Sequence, residues 1–98
     1  MRITDIIWKD SVVEKLIGKH GVSIADAEET LLSGPVVRRM VKGRVCGEDV
    51  YAAMAQIASG RYLVVFFIDK KRGVGLPISA RDMNPAERKY YAKHRQAH

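Results

Sequence analysis

Pro77-Ile78-Ser79-Ala80-Arg81-Asp82-Met83-Asn84-Pro85-Ala86-Glu87-Arg88-Lys89-Tyr90-Tyr91 reads as the end of a strand, a tight turn and the start of a helix. Asn84 suits the N-cap, because its side-chain oxygen can accept from a free backbone N–H of the first turn. Pro85 suits the first helical position, where an N–H is not needed. Glu87, three residues after the cap, can reach back in a variant of the capping box. Arg81 leaves the strand just before this turn, and Arg88 and Tyr91 follow on the first turns of the helix. A strand end facing a helix start gathers polar groups, so this junction is the expected working end of the protein.

Working outward from it, Gly75 to Ala80 reads as a strand in which Pro77 marks an edge or a bulge. Lys70-Lys71-Arg72-Gly73 is a turn. Tyr62 to Asp69 is apolar on both faces and is expected to be central. Ala58-Ser59-Gly60-Arg61 is a second turn, so Glu48 to Ala58 reads as the other strand of a hairpin. Val36 to Val45 is a further strand, with Gly43 as a bulge or bend. Two helices precede the sheet. The first is predicted to start on a Ser11–Glu14 capping box and to end at Gly21, with Val13, Leu16, Ile17 and His20 on one face. The second opens on Ser23 and stops at Ser33-Gly34-Pro35, its Asp26, Glu28 and Glu29 mostly solvated. Ile3 to Trp8 is an edge strand or an extended lead-in. The last helix runs from Pro85 to about Arg95, and His94 and His98 fray. The expected fold is therefore α+β and two-layered: an N-terminal helix pair and a C-terminal helix on a roughly four-stranded antiparallel sheet.

A chain of 98 residues makes one domain, residues 1–98. Its longest apolar run, Tyr62 to Ile68, is far short of the roughly 20 residues of a membrane helix. No charged n-region precedes an apolar h-region, so a cytoplasmic protein is expected. Cys46 is the single cysteine and reads as a small, half-buried apolar residue. The net charge is +6, and its excess is local: residues 70–98 hold eight basic and two acidic side chains. Such a patch attracts phosphate backbones or an acidic protein partner. No Cys/His spacing suggests zinc and no glycine-rich loop suggests a nucleotide site, so no metal or cofactor is expected.

Trp8, Lys19-His20-Gly21-Val22-Ser23, Gly60-Arg61-Tyr62-Leu63-Val64-Val65, Ile78-Ser79-Ala80-Arg81, Glu87-Arg88 and Tyr91 together resemble the BrnT family of bacterial toxins. The likeness lies in the ordered set and spans nearly the whole chain. It implies a RelE-like fold, a cytoplasmic toxin of a type II toxin–antitoxin pair, and RNA cleavage without a metal. It also implies a BrnA-like ribbon-helix-helix antitoxin as partner, with a possible pair of toxins in the complex. Where relatives tend to show an acidic pair and a Lys after the Trp, and an Asn later, this chain has Lys9, Asp10, Val12 and Leu16.

Metal-free RNA cleavage requires the 2′-hydroxyl to lose a proton as it attacks phosphorus, the 5′-oxygen to gain one, and a cation to meet the growing charge. Arg81 and Arg88 suit the phosphate, since a guanidinium offers paired donors. Lys19 can add to that grip. Glu87, His20 or Tyr91 could move protons. Arg61, Lys70, Lys71, Arg72 and Lys89 are candidate RNA contacts. Each has a plainer role beside it: Glu87 as a helix cap, His20 as a packed histidine, Arg81 in a structural ion pair. Two other functions stay open, a non-catalytic module that binds an antitoxin and a simple nucleic-acid binder.

Overall fold

The computed structural model describes residues 1–45 and 48–95. Cys46 and His98 lie outside the described residues. The chain order is β1 (Asp5–Ile6), α1 (Asp10–His20), α2 (Ile24–Leu32), β2 (Val36–Val45), β3 (Glu48–Gln56), β4 (Tyr62–Asp69), β5 (Val74–Asp82) and α3 (Pro85–His94). One five-stranded sheet runs in the order β1-β5-β4-β3-β2. β2 to β5 form the expected antiparallel meander. The sheet is nevertheless mixed and has five strands, because β1 pairs parallel with β5 at Asp5–Val74 and Ile6–Gly75. Two residues are too few to show any period. β1 is held by its approach to the β4–β5 turn, where Thr4 N–H donates to Gly73 O at 2.8 Å. That approach is why residue 73 is glycine: a Cβ there would sit 2.8 Å from Thr4 Oγ1, and φ is +79°.

β4 is central, as its composition predicts, and Leu63, Val64 and Val65 are wholly buried. Successive residues of a strand point to opposite faces, so β4 divides the interior. Leu63, Val65 and Phe67 pack with Leu16 of α1, Ala27 and Leu31 of α2, and Val22 between the two helices. Val64 packs with Ala52, Met54 and Met83, against Tyr90 and Tyr91 of α3. The helix pair and α3 therefore cover opposite faces, giving three layers where two were expected. α3 gives little warning of this, because it buries no residue fully and touches the sheet mainly through those tyrosines.

Pro77 does mark a bulge. Phe66 faces Ser79 but Phe67 faces Pro77, which leaves Ile78 as the extra residue. β2 also slips register between Arg39 and Val41 and again before Val45, the stretch where Gly43 led to the expectation of a bend. α1 departs from expectation at its start. It begins at Asp10 with Lys9 as N-cap and no side-chain cap, so Ser11 is already inside the helix and cannot close a capping box. At its end Gly21 takes the left-handed conformation, φ 63° and ψ 29°. Ser23 caps α2 through its hydroxyl, which accepts from Asp26 N–H at 3.0 Å. Two acidic residues of α2 are engaged and not merely solvated: Trp8 Nε1 donates to Glu28 at 2.8 Å and Ala58 N–H to Glu29 at 2.7 Å.

Candidate functional site

The junction of β5 and α3 is closed by one carboxylate. Asn84 Oδ1 accepts from Glu87 N–H at 2.8 Å, and Glu87 Oε1 accepts from Asn84 N–H at 2.9 Å, so the capping box is complete. The same Glu87 receives Arg81 end-on, Nη1 to Oε1 at 2.7 Å and Nη2 to Oε2 at 2.9 Å. Arg81 Nη1 also donates to Asp82 O at 3.1 Å. Those bonds use both protons of Nη1 and one of Nη2. Among the described residues, the Nε proton and the second Nη2 proton have no partner, and they form the other two-donor edge of a guanidinium. Arg81 is thus held at three points while keeping a two-donor edge of the kind that can bind an oxyanion. Its side chain is 35% exposed and that of Glu87 19%.

The electrostatics follow from that geometry. Burial pushes the Glu87 carboxyl up, but the hydrogen bonds from Arg81 and Asn84 and the Arg81 charge outweigh it and hold the group below the usual carboxylate range. The bond to Glu87 raises Arg81 further above its already high value, against a smaller opposing effect of burial. Glu87 is therefore a fixed anion and a weak base in this arrangement.

Around this pair the α3 face of the sheet is laid out in cation–ring contacts. The Arg81 guanidinium lies over Phe66 at 5.2 Å, Arg88 over Tyr62 at 4.0 Å, Arg38 over Tyr90 at 4.7 Å and Arg95 over Tyr91 at 5.6 Å. Phe66 and Tyr62 project from the same face of β4, so Arg81 and Arg88 share that face. Among the described residues Arg88 has no carboxylate partner. Tyr91 meets Tyr62 edge-on, with centroids 6.2 Å apart, and its hydroxyl accepts from Gln56 N–H at 3.3 Å. Its own proton is thus left to donate. Lys89 is exposed on α3. A cavity of about 120 Å³ adjoins Glu87, floored by Ala52 and Met54 and flanked by Arg38, Met40, Asn84, Ala86 and Tyr90. A larger depression, about 440 Å³, lies between Met1–Ile3 and residues 31–35, away from all of these groups.

The other candidates sit elsewhere. Lys19 and His20 end α1 on the opposite face, though at the same end of the sheet. Arg61 ties that end together: it donates to Gly21 O at 2.9 Å, to His20 O at 3.2 Å, and through Nε to Asp82 Oδ1 at 2.7 Å. The Arg61 hydrogen bond holds the Asp82 carboxyl below its usual range despite burial. Arg61 thus caps the C-terminal end of α1 and braces the residue next to Arg81. Lys70, Lys71 and Arg72 lie at the far end of β4, about 20 Å away at roughly 3.3 Å per residue. There Lys70 pairs with Glu48 at 2.7 Å and Lys71 with Asp69 at 3.6 Å.

Four contributors escaped the sequence. Arg38, Tyr62 and Phe66 become visible only once the faces of β2 and β4 are known. His94, expected to fray, stacks on Tyr90 with centroids 3.8 Å apart, and its Nδ1 lies 2.8 Å from Tyr90 O. The i, i+4 spacing of Tyr90 and His94 was the available signal. Among the described residues no three His, Cys, Asp or Glu side chains converge as a metal site, and no helix is long and apolar enough to cross a membrane.

The structure is thus a sheet flanked by helices, with an arginine fork beside a basic, aromatic face. The family model of the ribonuclease toxin BrnT, of type II toxin–antitoxin systems, matches residues 8–87. The chain belongs to that family, which implies an antitoxin partner and an RNA target. The matched residues include Arg81 and Glu87 and stop short of Arg88 and Tyr91. Comparison with curated proteins finds no match.

Proposed function

We propose that the protein is a cytoplasmic endoribonuclease toxin that cuts RNA by attack of a 2′-hydroxyl on the adjacent phosphorus, without a resident metal. The observation that carries this is the clamped Arg81. Glu87 holds it end-on, which leaves its side-on fork to take two phosphate oxygens. Arg88 supplies a second permanent cation on the same face as charge grows on the phosphorane. The Tyr91 hydroxyl, its oxygen already accepting from Gln56, is placed to donate to the leaving 5′-oxygen. Glu87 acts as the positioning residue for Arg81 and not as the base, so the proton of the attacking 2′-hydroxyl passes to solvent water. Lys19 and His20, on the opposite layer, enter as flanking contacts for the strand, as do Lys89 and the Lys70–Arg72 turn.

The test is single-stranded RNA incubated with pure protein in EDTA. Fragments ending in a 2′,3′-cyclic phosphate are expected, and Arg81→Ala should abolish them. Intact RNA at high protein concentration would refute the assignment. The partner assigned here is a BrnA-like ribbon-helix-helix antitoxin, which co-expression from the neighbouring reading frame and co-purification would reveal.

A further inference from the structure

The cavity beside Glu87 has no part in gripping the phosphate, yet its position and lining suit a ligand. Its volume of about 120 Å³ equals about four waters at roughly 30 Å³ each, the bulk of one planar heterocycle. Met40, Met54 and Ala86 give it apolar walls. Its polar groups form a specific set. Asn84 Oδ1 is taken by Glu87 N–H, so the Asn84 side chain presents its amide N–H₂. Arg38 lies over Tyr90 and, among the described residues, makes no ion pair, so its guanidinium donors are available. Glu87 Oε2 receives only Arg81 Nη2 and keeps a lone pair.

We infer that this cavity is a nucleobase subsite that takes guanine from the nucleotide next to the phosphate held by Arg81. Guanine offers adjacent acceptors, O6 and N7, to a two-donor side chain and carries N–H donors on its other edge. That pattern fits Arg38 of β2 for O6 and N7 and Glu87 of α3 for the N–H groups, with the Asn84 amide beside Glu87. An exocyclic amine in place of O6, as in adenine, would set donor against donor. Unpaired bases splayed out of single strands are the ordinary targets of such pockets, with arginine planes and aromatic rings as stacking partners. Arg81 and the cavity adjoin through Glu87, so a base held in the one lies beside a phosphate held by the other.

The inference rests on the ribonuclease assignment, so binding is measured apart from cutting. In a ¹⁵N NMR titration, guanosine 3′-monophosphate should shift the amides of Met40, Ala86 and Tyr90, saturating at about tenfold lower concentration than cytidine 3′-monophosphate. Absent shifts at these residues, or equal affinity for the two nucleotides, overturns the subsite. In cleavage mapping on a mixed-sequence RNA, cuts should carry guanine at one fixed position beside the broken bond. Ala86→Phe, which fills the mouth from an exposed position, and Arg38→Gln should each flatten that preference. Cutting with unchanged site choice in both variants overturns it as well. A protein that shows the amide shifts but leaves RNA whole keeps the subsite and loses the ribonuclease assignment.

Discussion

At residue scale the decisive question is what the Arg81–Glu87 pair is for. The Arg81–Glu87 pair is half-buried, and a lysine at position 81 would keep its charge and so most of a modest contribution to stability. A phosphate fork is different, because lysine presents a point charge without the paired planar donors. Arg81→Lys should therefore leave the melting temperature nearly unchanged and lower kcat by about 10²–10³, the usual effect of losing one charge-stabilising donor in a transition state. Single-turnover cleavage beside thermal melting checks this; equal loss in Arg81→Lys and a surface Arg→Lys control would leave the pair a structural staple. The pH dependence of stability has a definite sign. Glu87 and Asp82 both ionise more readily folded than unfolded. Their contribution is complete above the unfolded carboxylate values of roughly 3.9–4.3 and is lost as pH falls through the folded ones. Urea midpoints should fall below about pH 4, and less steeply in Glu87→Gln.

The elements show what could be read from the chain and what could not. Local chemistry was legible: the Asn84–Pro85–Glu87 start of α3, the Ser23 cap of α2 and the left-handed Gly21 are all realised. The apolar run of β4 correctly announced a central strand, and Pro77 a bulge. Non-local pairing was not legible. β1 is two residues held by a distant turn, and no propensity marks it. The side of the sheet that α3 covers was hidden too, because the helix offers two adjacent tyrosines and no apolar stripe. Leu16 illustrates the difference for the candidate site. Leu16 is 1% exposed and packs in the core beneath α1, so that position serves packing. Asn84→Ala removes the cap acceptor and should cost about 1 kcal/mol, a melting shift of about 4–8 °C for a domain of this size. Scanning calorimetry measures it. Activity should fall in the same variant, since Glu87 loses the partner that fixes its first turn.

At the scale of the molecule, two basic clusters stand apart. The α3 face carries Arg38, Arg81, Arg88 and Arg95, each beside a ring. The far turn carries Lys70, Lys71 and Arg72. RNA binding should weaken steeply with salt, as expected when phosphates displace counterions. Replacing all three residues of the far turn with alanine should reduce the salt slope for long RNA and leave it unchanged for a short oligonucleotide that cannot span about 20 Å of sheet. Fluorescence anisotropy over a salt series separates the two cases.

One carboxylate both starts the last helix and clamps the arginine. Fraying and disarming are therefore a single event: when the opening turn of α3 uncoils, Glu87 swings away and the guanidinium loses its aim. On the proposed reading, an antagonist need not cover the Arg81 fork to silence the protein. Prying up the far end of that helix by its tyrosines would be enough.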